Sequence, residues 1–490
     1  MYEDFIEELG TQSAPLKESD KNALNIYSFR GLPPEVMAVI FAKCSRSPES
    51  FYEIAKELTE TKSAEFHEKW VVGYGHGSVA EHAVLSIAIE NLSILATKVV
   101  EDNRLASYTE KSTRYQVFDK NRYYKPPKIM ASEFGPLYEA AGDGLFETYE
   151  KLREPVAALM RQKNPRAPEQ GEKMYETIIK AKTCDVIRYL LPAATLTNLG
   201  MTVNARNLEW AIVKLLSNPL EEMQAIGRRL KEVGMEITPT LLKYAEANQY
   251  LIQTIPALKG VIWEKEGSHL TTPKDSKEPV RIVSYDFDAE NKLVAALIYR
   301  FGADSYENIM KRVRLMTQGA KKAIVDESLK YRGPHDRPLR ELEHIYYTFD
   351  ILMDYGAFRD IQRHRIATQT NQPLTAVHGY STPPEIAELG LTADFDAAMA
   401  KAAGAFKEIS AQFPDEAQYI VPLAYKKRTL FTWNLRELHH FIPLRSGKKG
   451  HPSYRRIAQM CYDKLMEVHP LLAGYINVDK SDEHGSTISK

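Results

Sequence analysis

The sequence predicts an α+β protein made of two homologous halves joined in one chain. Three observations support this prediction. Apolar residues follow helical periods more often than they form short β-branched runs. Two blocks of sequence each recur later in the chain at a constant spacing. The composition, with 44% hydrophobic and 26% charged residues, is typical of a folded globular protein.

Helical periods are clearest in four segments, which are 34–43, 50–58, 174–190 and 220–233. The segment 279–285 is rich in β-branched residues and predicts a strand. After an Asp/Asn turn, the run 292–300 has the character of a second strand. Helix therefore exceeds strand, which favours the α+β class.

The internal repeat is visible in two blocks with different spacings. The pair Glu81-His82 recurs as Glu343-His344, 262 positions later. Three residues of the second block recur 230 positions later: Pro192, Asn204 and Arg206 correspond to Pro422, Asn434 and Arg436. We therefore expect an arm at 1–24, a first half at 25–240, a connector at 241–274, a second half at 275–478 and a tail at 479–490.

Charge and cysteine content argue against several classes of protein. The formal net charge is −1, from 64 basic and 65 acidic residues, so binding to a nucleic-acid polymer is not expected. The three cysteines form no CxxC pair, which argues against a disulfide framework or a cysteine zinc cluster. The N-terminus lacks an apolar leader, and polar residues interrupt the most apolar stretch, 83–100. We therefore expect a cytoplasmic protein without a membrane span.

The densest cationic motif is Arg363-His364-Arg365. Two guanidinium groups beside an imidazole present forked donors that suit a phosphate or a planar carbonyl-imide edge. A solvated basic turn with neighbouring acids such as Asp360 explains the same residues. The motif alone leaves both explanations open.

Two further motifs combine small polar residues with an arginine or a histidine. In the segment 107–115, serine hydroxyls and Arg114 suit a phosphate dianion, although a helix-capping box also explains serines near a glutamate. In the segment 73–82, closely spaced glycines let the backbone approach a ligand, but the motif is neither a P-loop nor a GxGxxG fingerprint. His76 and His82 are poorly spaced for helical metal ligands, so a turn followed by a helix is the alternative and no metal site is expected.

A fourth motif, 433–445, places Arg436, His440 and Arg445 on one predicted helix that Pro443 ends or kinks. These side chains either approach one another or form the solvated side of an amphipathic helix. Nucleophilic catalysis finds little support, because the cysteines have no histidine near them in sequence and no GxSxG elbow occurs.

These four motifs, in this order, resemble the flavin-dependent thymidylate synthases. That family carries an H-x-S/T-x-x-E-H element, then R-H-R followed by serines, a glutamate and an arginine, and a closing N-x-R and L-R. The resemblance covers both halves but divides the pattern between them. The first half keeps His76, Ser78, Glu81, His82, Ser107, Glu110, Ser112, Arg114, Tyr115 and Arg188. The second half keeps Arg363, His364, Arg365, Asn434, Arg436, Leu444 and Arg445.

Each half has lost what the other retains. Where the second half has R-H-R at 363–365, the first half has E-D-N at 101–103, and Leu215 takes the place of the closing arginine. The serine-arginine segment has become 368–375 in the second half, where Gln418 replaces the arginine before Leu-Pro. Random decay would not sort the motif in this way, so we expect one composite site that uses both halves.

The resemblance implies the fold, the reaction and the ligands. Each half is expected to be a helix-rich domain with a small antiparallel sheet, and two chains are expected to form a homodimer of fused pseudo-dimers. The implied reaction is the reductive methylation of dUMP to dTMP, with methylenetetrahydrofolate as the carbon donor and NADPH as the reductant of FAD. A small-molecule nucleotide and a folate are therefore the expected partners.

The resemblance also implies roles for individual residues. The expected FAD contacts are His76, Ser78, Glu81, Arg363, His364, Arg365, Asn434, Arg436 and His440. The expected dUMP contacts are Glu110, Ser112, Arg114, Arg188 and Arg445. Of these, Arg445, Ser112 and Glu110 are expected to take part in catalysis.

Two other functions fit the same residues. One is a related flavin-dependent one-carbon transfer to another pyrimidine nucleotide, suggested by the departures at 101–103 and 371–375. The other is a noncatalytic nucleotide- or flavin-binding paralogue. Flavin colour that NADPH bleaches separates an enzyme from a binding protein, and rescue of a thymidine-requiring strain separates the synthase from other nucleotide chemistry.

Overall fold

The computed structural model describes residues 24, 26–58, 63, 65, 66, 68, 69, 77–267 and 278–481. Most of the expected arm and most of the expected tail lie outside the described residues. The chain divides into two compact units. The small unit comprises Met1–Leu92, Val99–Lys111 and Thr197–Lys265, and the large unit comprises Ser93–Lys98, Ser112–Leu196 and Glu266–Lys490. The large unit therefore contains sequence from both halves.

The described part of the chain is mostly helical. In chain order, the helices are α1 (Pro34–Lys43), α2 (Phe51–Glu57), α3 (Ile94–Val100), α4 (Pro127–Met130), α5 (Gly135–Lys163), α6 (Glu172–Ile187), α7 (Ala205–Leu216), α8 (Glu221–Ile237), α9 (Gln249–Glu266), α10 (Ala289–Tyr299), α11 (Tyr306–Leu315), α12 (Gln318–Leu329), α13 (Tyr355–Ile361), α14 (Pro384–Glu388), α15 (Thr392–Ser410), α16 (Leu435–Ser446), α17 (Pro452–Val468) and α18 (Pro470–Ala473). The strands are β1 (Val84–Ser93), β2 (Ala106–Glu110), β3 (Leu196–Asn204), β4 (Val280–Tyr285), β5 (Tyr346–Asp354), β6 (Thr368–Asn371) and β7 (Lys426–Asn434). Short 3₁₀ helices cover Gly77–His82, Arg188–Leu190, Arg340–His344 and Glu416–Ile420. No helix among the described residues is both long and apolar enough to cross a membrane.

The small unit contains a three-stranded sheet in the order β1-β3-β2. Helix α2 begins after Ser50, whose side chain accepts the N–H of Glu53 while the Glu53 carboxylate accepts the N–H of Ser50. The apolar faces of α1 and α2 form a core of Val36, Val39, Ile40, Ile54, Ala55 and Leu58. The buried Glu35 of α1 accepts the N–H groups of Thr240 and Leu241 at 2.8 and 2.9 Å, which ties α1 to the segment after α8.

A four-stranded antiparallel sheet in the order β4-β5-β7-β6 forms the centre of the large unit. Phe431 and Trp433 lie on the same face of β7 because side chains alternate along a strand. Their rings stack with centroids 4.6 Å apart, and Trp433 also stacks at 4.6 Å on Phe441 of α16. All three rings are fully buried, so the sheet and α16 share one aromatic core. This helix-rich architecture with small antiparallel sheets confirms the predicted fold class.

The two halves contact each other inside the large unit through the equivalent segments 189–194 and 419–424. Four backbone hydrogen bonds of 2.8–3.0 Å connect the segments, donated by Ala193 to Val421, by Leu423 to Leu191, by Ala194 to Tyr419 and by Ala424 to Tyr189. After a shift of 230 positions, the bond from Ala193 to Val421 corresponds to the bond from Leu423 to Leu191. The bond from Ala194 to Tyr419 corresponds in the same way to the bond from Ala424 to Tyr189. Such self-complementary pairing is typical of a twofold contact between equivalent surfaces.

The first strand of the first half is one residue longer than its equivalent. Strand β1 has 10 residues and β5 has 9, and Asn91 of β1 has a left-handed φ of 60°. An extra residue in that conformation is typical of a β-bulge. The spacing between the halves therefore falls from 262 before the strand to 261 after it, since α3 begins at 94 and α13 at 355. The predicted equivalence of 101–103 with 363–365 is wrong by one residue, and D-N-R at 102–104 is the equivalent of R-H-R.

The run 292–300, predicted as a strand, lies almost wholly in helix α10. Residues 293–297 are all buried, where α10 packs against α11 and α12. A short apolar run has no period that distinguishes a buried strand from a buried helix, which explains the error. The predicted strand at 279–285 and the four predicted helices are confirmed, with 174–190 forming α6 and the 3₁₀ turn after it.

Phe431→Ala is expected to destabilise the large unit by about 3–5 kcal/mol, because it removes the end ring of the stack and opens a cavity beside the buried Trp433. Urea unfolding followed by tryptophan fluorescence measures the change. Leu430→Ala is the matched control, since its side chain on the adjacent position of β7 is 39% exposed, and its expected cost is about 0.5 kcal/mol or less. Equal losses for the two variants would contradict the burial pattern of β7.

Candidate functional site

The R-H-R motif lies in the turn directly after α13. Asp354 begins this helix by accepting the N–H of Ala357 at 2.8 Å, and the His364 N–H closes the last turn on Ile361 O at 3.0 Å. The turn leaves Arg363 exposed and buries the His364 ring. A buried imidazole therefore stands between two arginines of unequal exposure.

His364 bridges Arg445 and Glu437. The Arg445 Nε–H donates to His364 Nε2 at 2.9 Å, and His364 Nδ1 lies 2.9 Å from Glu437 Oε1. Because an arginine Nε can only donate, Nε2 is the acceptor and the ring proton is on Nδ1, facing Glu437. Burial, then the charges of Arg445 and His440, hold the pKa of His364 well below its usual value, so the ring is neutral.

Arg114 forms a bidentate ion pair with Asp185. Its Nε and Nη2 donate to the two carboxylate oxygens at 2.7 and 2.9 Å, and its Nη1 donates to the Tyr454 hydroxyl at 3.1 Å. Burial alone would raise the pKa of Asp185, but the Arg114 hydrogen bond, His451 and the nearby arginines bring it below the usual value. The backbone N–H of Arg114 donates to Ser112 Oγ at 3.1 Å, which fixes the serine beside the guanidinium.

Arg188 is almost completely buried, with 2% of its surface exposed. Its Nη1 lies 3.6 Å from Asp360 Oδ2, while its Nε and Nη2 have no hydrogen-bond partner within the described part of the chain. Gly356 permits this position, because a Cβ there would lie 3.2 Å from Arg188 Nη2. Buried guanidinium donors without acceptors are unusual in a folded protein, and an anion is the acceptor that suits them best.

The charges of four arginines, two from each half, act on the carboxylate of Asp360. Burial raises the pKa of Asp360, but the charges of Arg188, Arg363, Arg445 and Arg114 outweigh it and hold the value below normal. The Tyr454 ring lies between two of them, with its centroid 5.8 Å from Arg114 Cζ and 5.4 Å from Arg445 Cζ. We call these four side chains the arginine cluster. The structure thus brings together the arginines that the two halves retain separately.

A cavity of about 1050 Å³ opens beside Arg114 in the large unit. Six cationic side chains line it, namely Arg114, Lys163, Lys180, Lys182, Lys448 and Lys449. Two carboxylates, Asp185 and Glu385, also line it, which leaves an excess of four positive charges. Burial lowers the pKa of Lys182, which donates to Asn164 Oδ1 at 2.5 Å. The cavity is large enough for a nucleotide-sized ligand and has the charge to attract an anion.

Three residues of this site carry no clear signal in the sequence, namely Asp185, Glu437 and Tyr454, and Asp360 is recognisable there only as an acid near the R-H-R motif. Asp185 and Asp360 each precede a cluster arginine by three positions, a spacing at which side chains meet on a helix. In the structure, however, Asp185 pairs with Arg114 and Asp360 lies beside Arg188, so this spacing does not identify the partners. Glu437 and Tyr454 are recognisable only once the fold brings α16 and α17 beside the R-H-R turn.

Several predicted cofactor contacts have local partners that recur in both halves. Glu81, in the 3₁₀ helix Gly77–His82 of the small unit, pairs with Arg206. At the equivalent position of the large unit, Arg436 donates to Glu343 at 2.7 Å. The repetition shows that the Arg–Glu pair holds the same turn in each half.

Other predicted contacts occupy varied positions. Asn434 caps α16 by accepting the Glu437 N–H at 2.8 Å, as Asn204 caps α7. Glu110 is buried at the end of β2 and Ser78 is exposed, both in the small unit. His440 is exposed with its ring 5.4 Å from that of His364, and Arg365 is half-buried. His76 lies outside the described residues. The ligand contacts of all these residues stay predictions.

Comparisons with known proteins agree along most of the chain. A family model described as thymidylate synthase complementing protein matches residues 31–240 and again residues 281–471. A UPF0159 protein of Chlamydia muridarum is 34% identical over 490 aligned residues, covering 93% of this chain and 92% of that protein. A flavin-dependent thymidylate synthase of Clostridium tetani is 28% identical over 225 residues, covering 43% of this chain and 82% of that protein. A Helicobacter pylori flavin-dependent thymidylate synthase, solved with FAD and dUMP, aligns at 18% identity and a TM-score of 0.31 over 41% of this chain and all of that one.

Asp185→Asn is expected to lower the free energy of unfolding at pH 7 by about 2 kcal/mol, because Arg114 loses a charged acceptor. The folded pKa of Asp185 lies below the usual 3.8, so its stabilisation is present above that value and is lost as pH falls through the folded pKa. The two proteins should therefore become more alike in thermal melts as the pH falls from about 4 through the folded pKa. Asp415→Asn, 230 positions later, is the control and should change stability little; a constant difference at all pH values would contradict the ion-pair explanation.

Proposed function

Because the chain belongs to the thymidylate synthase complementing protein family, we propose that it is a flavin-dependent thymidylate synthase with one composite site built from both halves. In this proposal it methylates dUMP reductively to dTMP, with methylenetetrahydrofolate as the carbon donor, NADPH as the reductant and FAD as the bound cofactor. Two chains form the homodimer. The observation that carries the proposal is the arginine cluster, in which Arg114 and Arg188 of the first half lie beside Tyr454 and Asp360 of the second.

The first half supplies the nucleotide phosphate contacts. Ser112 accepts the Arg114 N–H and keeps its hydroxyl hydrogen to donate to a phosphate oxygen. Arg188 has two buried donors that lack acceptors, which suits a phosphate dianion better than water. The cationic cavity beside Arg114 attracts such a ligand from solution.

The residues of the R-H-R turn fit FAD by the chemistry of their donors. FAD, when bound, supplies the hydride that reduces the transferred carbon. The exposed Arg363 and the half-buried Arg365 offer forked donors to a diphosphate or to the flavin edge that gains negative charge on reduction. The exposed His440 stands beside them. These side chains bind, orient and neutralise charge without any metal.

Arg445 polarises the pyrimidine. His364 occupies its Nε, so the two terminal nitrogens remain to donate to the uracil imide oxygen, which increases electron density at the reacting ring carbon. The cysteines are poor nucleophiles: burial raises the pKa of Cys184 to about 11 and raises that of Cys461 further, so both thiols stay protonated. The exposed Cys44 donates to Phe41 O. This pattern favours a reaction without an enzyme thiolate.

A noncatalytic nucleotide-binding protein is the second candidate. Asp185 accepts from two nitrogens of Arg114, so a phosphate has to compete with a carboxylate that is already in place. Methyl transfer to another pyrimidine nucleotide is the third, because the cluster recognises a phosphate and an imide rather than the sugar. Rescue of a thymidine-requiring strain favours the synthase over both.

Arg188→Gln is expected to weaken dUMP binding about 10- to 100-fold, because a neutral amide replaces charged donors to the phosphate. Isothermal titration calorimetry measures the affinity. Gln418→Ala is the matched control, since Gln418 is the equivalent residue of the other half, and its affinity should match that of the parent chain. Equal effects of the two substitutions would contradict the assignment of the phosphate to the first-half arginines.

The purified protein is expected to be yellow, to lose flavin absorbance on addition of NADPH and to rescue a thymidine-requiring strain. Arg365→Ala and Ser112→Ala, one in each half, should each abolish rescue, because both halves complete the same site. Arg104→Ala, at the position equivalent to Arg365, should rescue fully. A colourless protein that FAD does not reconstitute, or full rescue by either of the first two variants, would overturn the proposal.

A further inference from the structure

We infer that Glu437 is a positioning residue, which acts through His364 to hold the Arg445 guanidinium in the orientation that the pyrimidine requires. The inference rests on the proposed role of Arg445 and adds a residue to it. Glu437 contacts neither ligand in this scheme; it acts on the ring that holds the arginine.

The directions of the hydrogen bonds carry the argument. Arg445 Nε–H donates to His364 Nε2 at 2.9 Å, and the opposite ring nitrogen then donates its proton to Glu437 Oε1 at 2.9 Å. The other tautomer would set two N–H groups against each other at Arg445 and two lone pairs against each other at Glu437, and a ring flip would replace both hydrogen-bonding nitrogens with carbons. An acceptor at position 437 is therefore what selects the tautomer that can receive Arg445.

The backbone of Glu437 is fixed as firmly as its side chain. Its N–H donates to Asn434 Oδ1 at 2.8 Å, at the first turn of the 12-residue helix α16. Carboxylates are favoured at that position by the partial positive charge of the helix N-terminus. The side chains of Glu437 and His364 are 13% and 3% exposed, so water competes weakly for their hydrogen bond.

The first half provides an internal comparison, because it lacks the equivalents of all three hydrogen-bonded residues, His364, Glu437 and Arg445. With the spacings found in the structure, Asn103 stands for His364, Asn207 for Glu437 and Leu215 for Arg445. Asn207 instead donates to Asn204 Oδ1 at 2.8 Å. Joint replacement is what a unit of three cooperating residues predicts, whereas an isolated surface glutamate has no reason to be lost with the other two.

Burial brings the pKa of Glu437 near neutral pH, against the charges around it. His440, Arg337 and Arg436 face Glu437 together with His364, while Arg445, His440 and Asp360 face His364. Burial, the largest influence, raises the pKa of Glu437 to about 7 against the opposing charges. Above that pH the carboxylate is a strong acceptor for the His364 N–H, and below it the acid is a weaker one. Arg445 is therefore held best on the alkaline side, so turnover rises with pH through about 7.

Glu437→Gln and Glu437→Ala separate the charge from the hydrogen bond. The glutamine keeps an oxygen acceptor, so at pH 8 its kcat should stay within about threefold of the parent and its rising limb near pH 7 should disappear. The alanine leaves the ring proton without an acceptor, so its kcat should fall about 10- to 100-fold, the range expected for a catalytic group displaced by about 1 Å, with a smaller change in KM for dUMP. Asn207→Ala, the equivalent position in the first half, should match the parent chain.

Nitrogen NMR of ¹⁵N-histidine protein tests the same inference without turnover, with His364→Gln used to assign the ring. The parent chain should show the neutral Nδ1–H tautomer, with shifts that titrate near pH 7. Glu437→Gln should keep the tautomer without the titration, and Glu437→Ala should show mixed tautomers. An unchanged tautomer in Glu437→Ala, or a parent-like kcat for it at pH 8, would overturn the inference. If the parent chain shows the expected NMR pattern but no turnover, the proposed reaction is rejected instead.

Discussion

The self-complementary backbone pairing between 189–194 and 419–424 is the contact on which the arginine cluster depends. Arg188 directly precedes the first of these segments, so the pairing carries it to within 3.6 Å of Asp360. Backbone hydrogen bonds are insensitive to side-chain identity, which allows the side chains around them to change freely. The duplicated chain could therefore lose different motif residues in each half while the geometry that brings the remaining ones together stayed intact.

The stability of the arginine cluster depends on how far carboxylates compensate the repulsion between its guanidinium groups. Four guanidinium groups near one another repel, and Asp360 and Asp185 compensate part of that repulsion inside the protein. Two carboxylates against four arginines leave two positive charges, which matches a phosphate dianion. A fully compensated cluster would bind such a ligand weakly, and an uncompensated one would destabilise the fold, because buried charges need partners.

The sequence was sufficient to predict the duplication and the fold class, because both depend on spacing and residue type. The sequence was insufficient where contacts between distant parts of the chain determine the structure. The helix at 289–299 has an apolar run without a period, and the bulge at Asn91 shifts the alignment by one residue. Asp185 and Asp360 look like ordinary helical acids until burial and the neighbouring arginines are known. Glu437 has no signature at all, because its role arises from a contact with a turn 73 residues away.

The divergence also explains why the second half has no arginine at the position equivalent to Arg188. At the position equivalent to Arg188, the Gln418 amide accepts the Leu374 N–H at 2.9 Å and donates to Asp415 O at 3.1 Å. A neutral amide satisfied by the backbone costs nothing to bury, whereas a buried arginine requires a carboxylate or a ligand. Once one half of a fused chain supplies the phosphate site, selection for binding no longer opposes this change in the other half, and stability favours it. Duplication followed by local neutralisation of unused charge leads from two equivalent halves to the asymmetric arrangement of charges seen here.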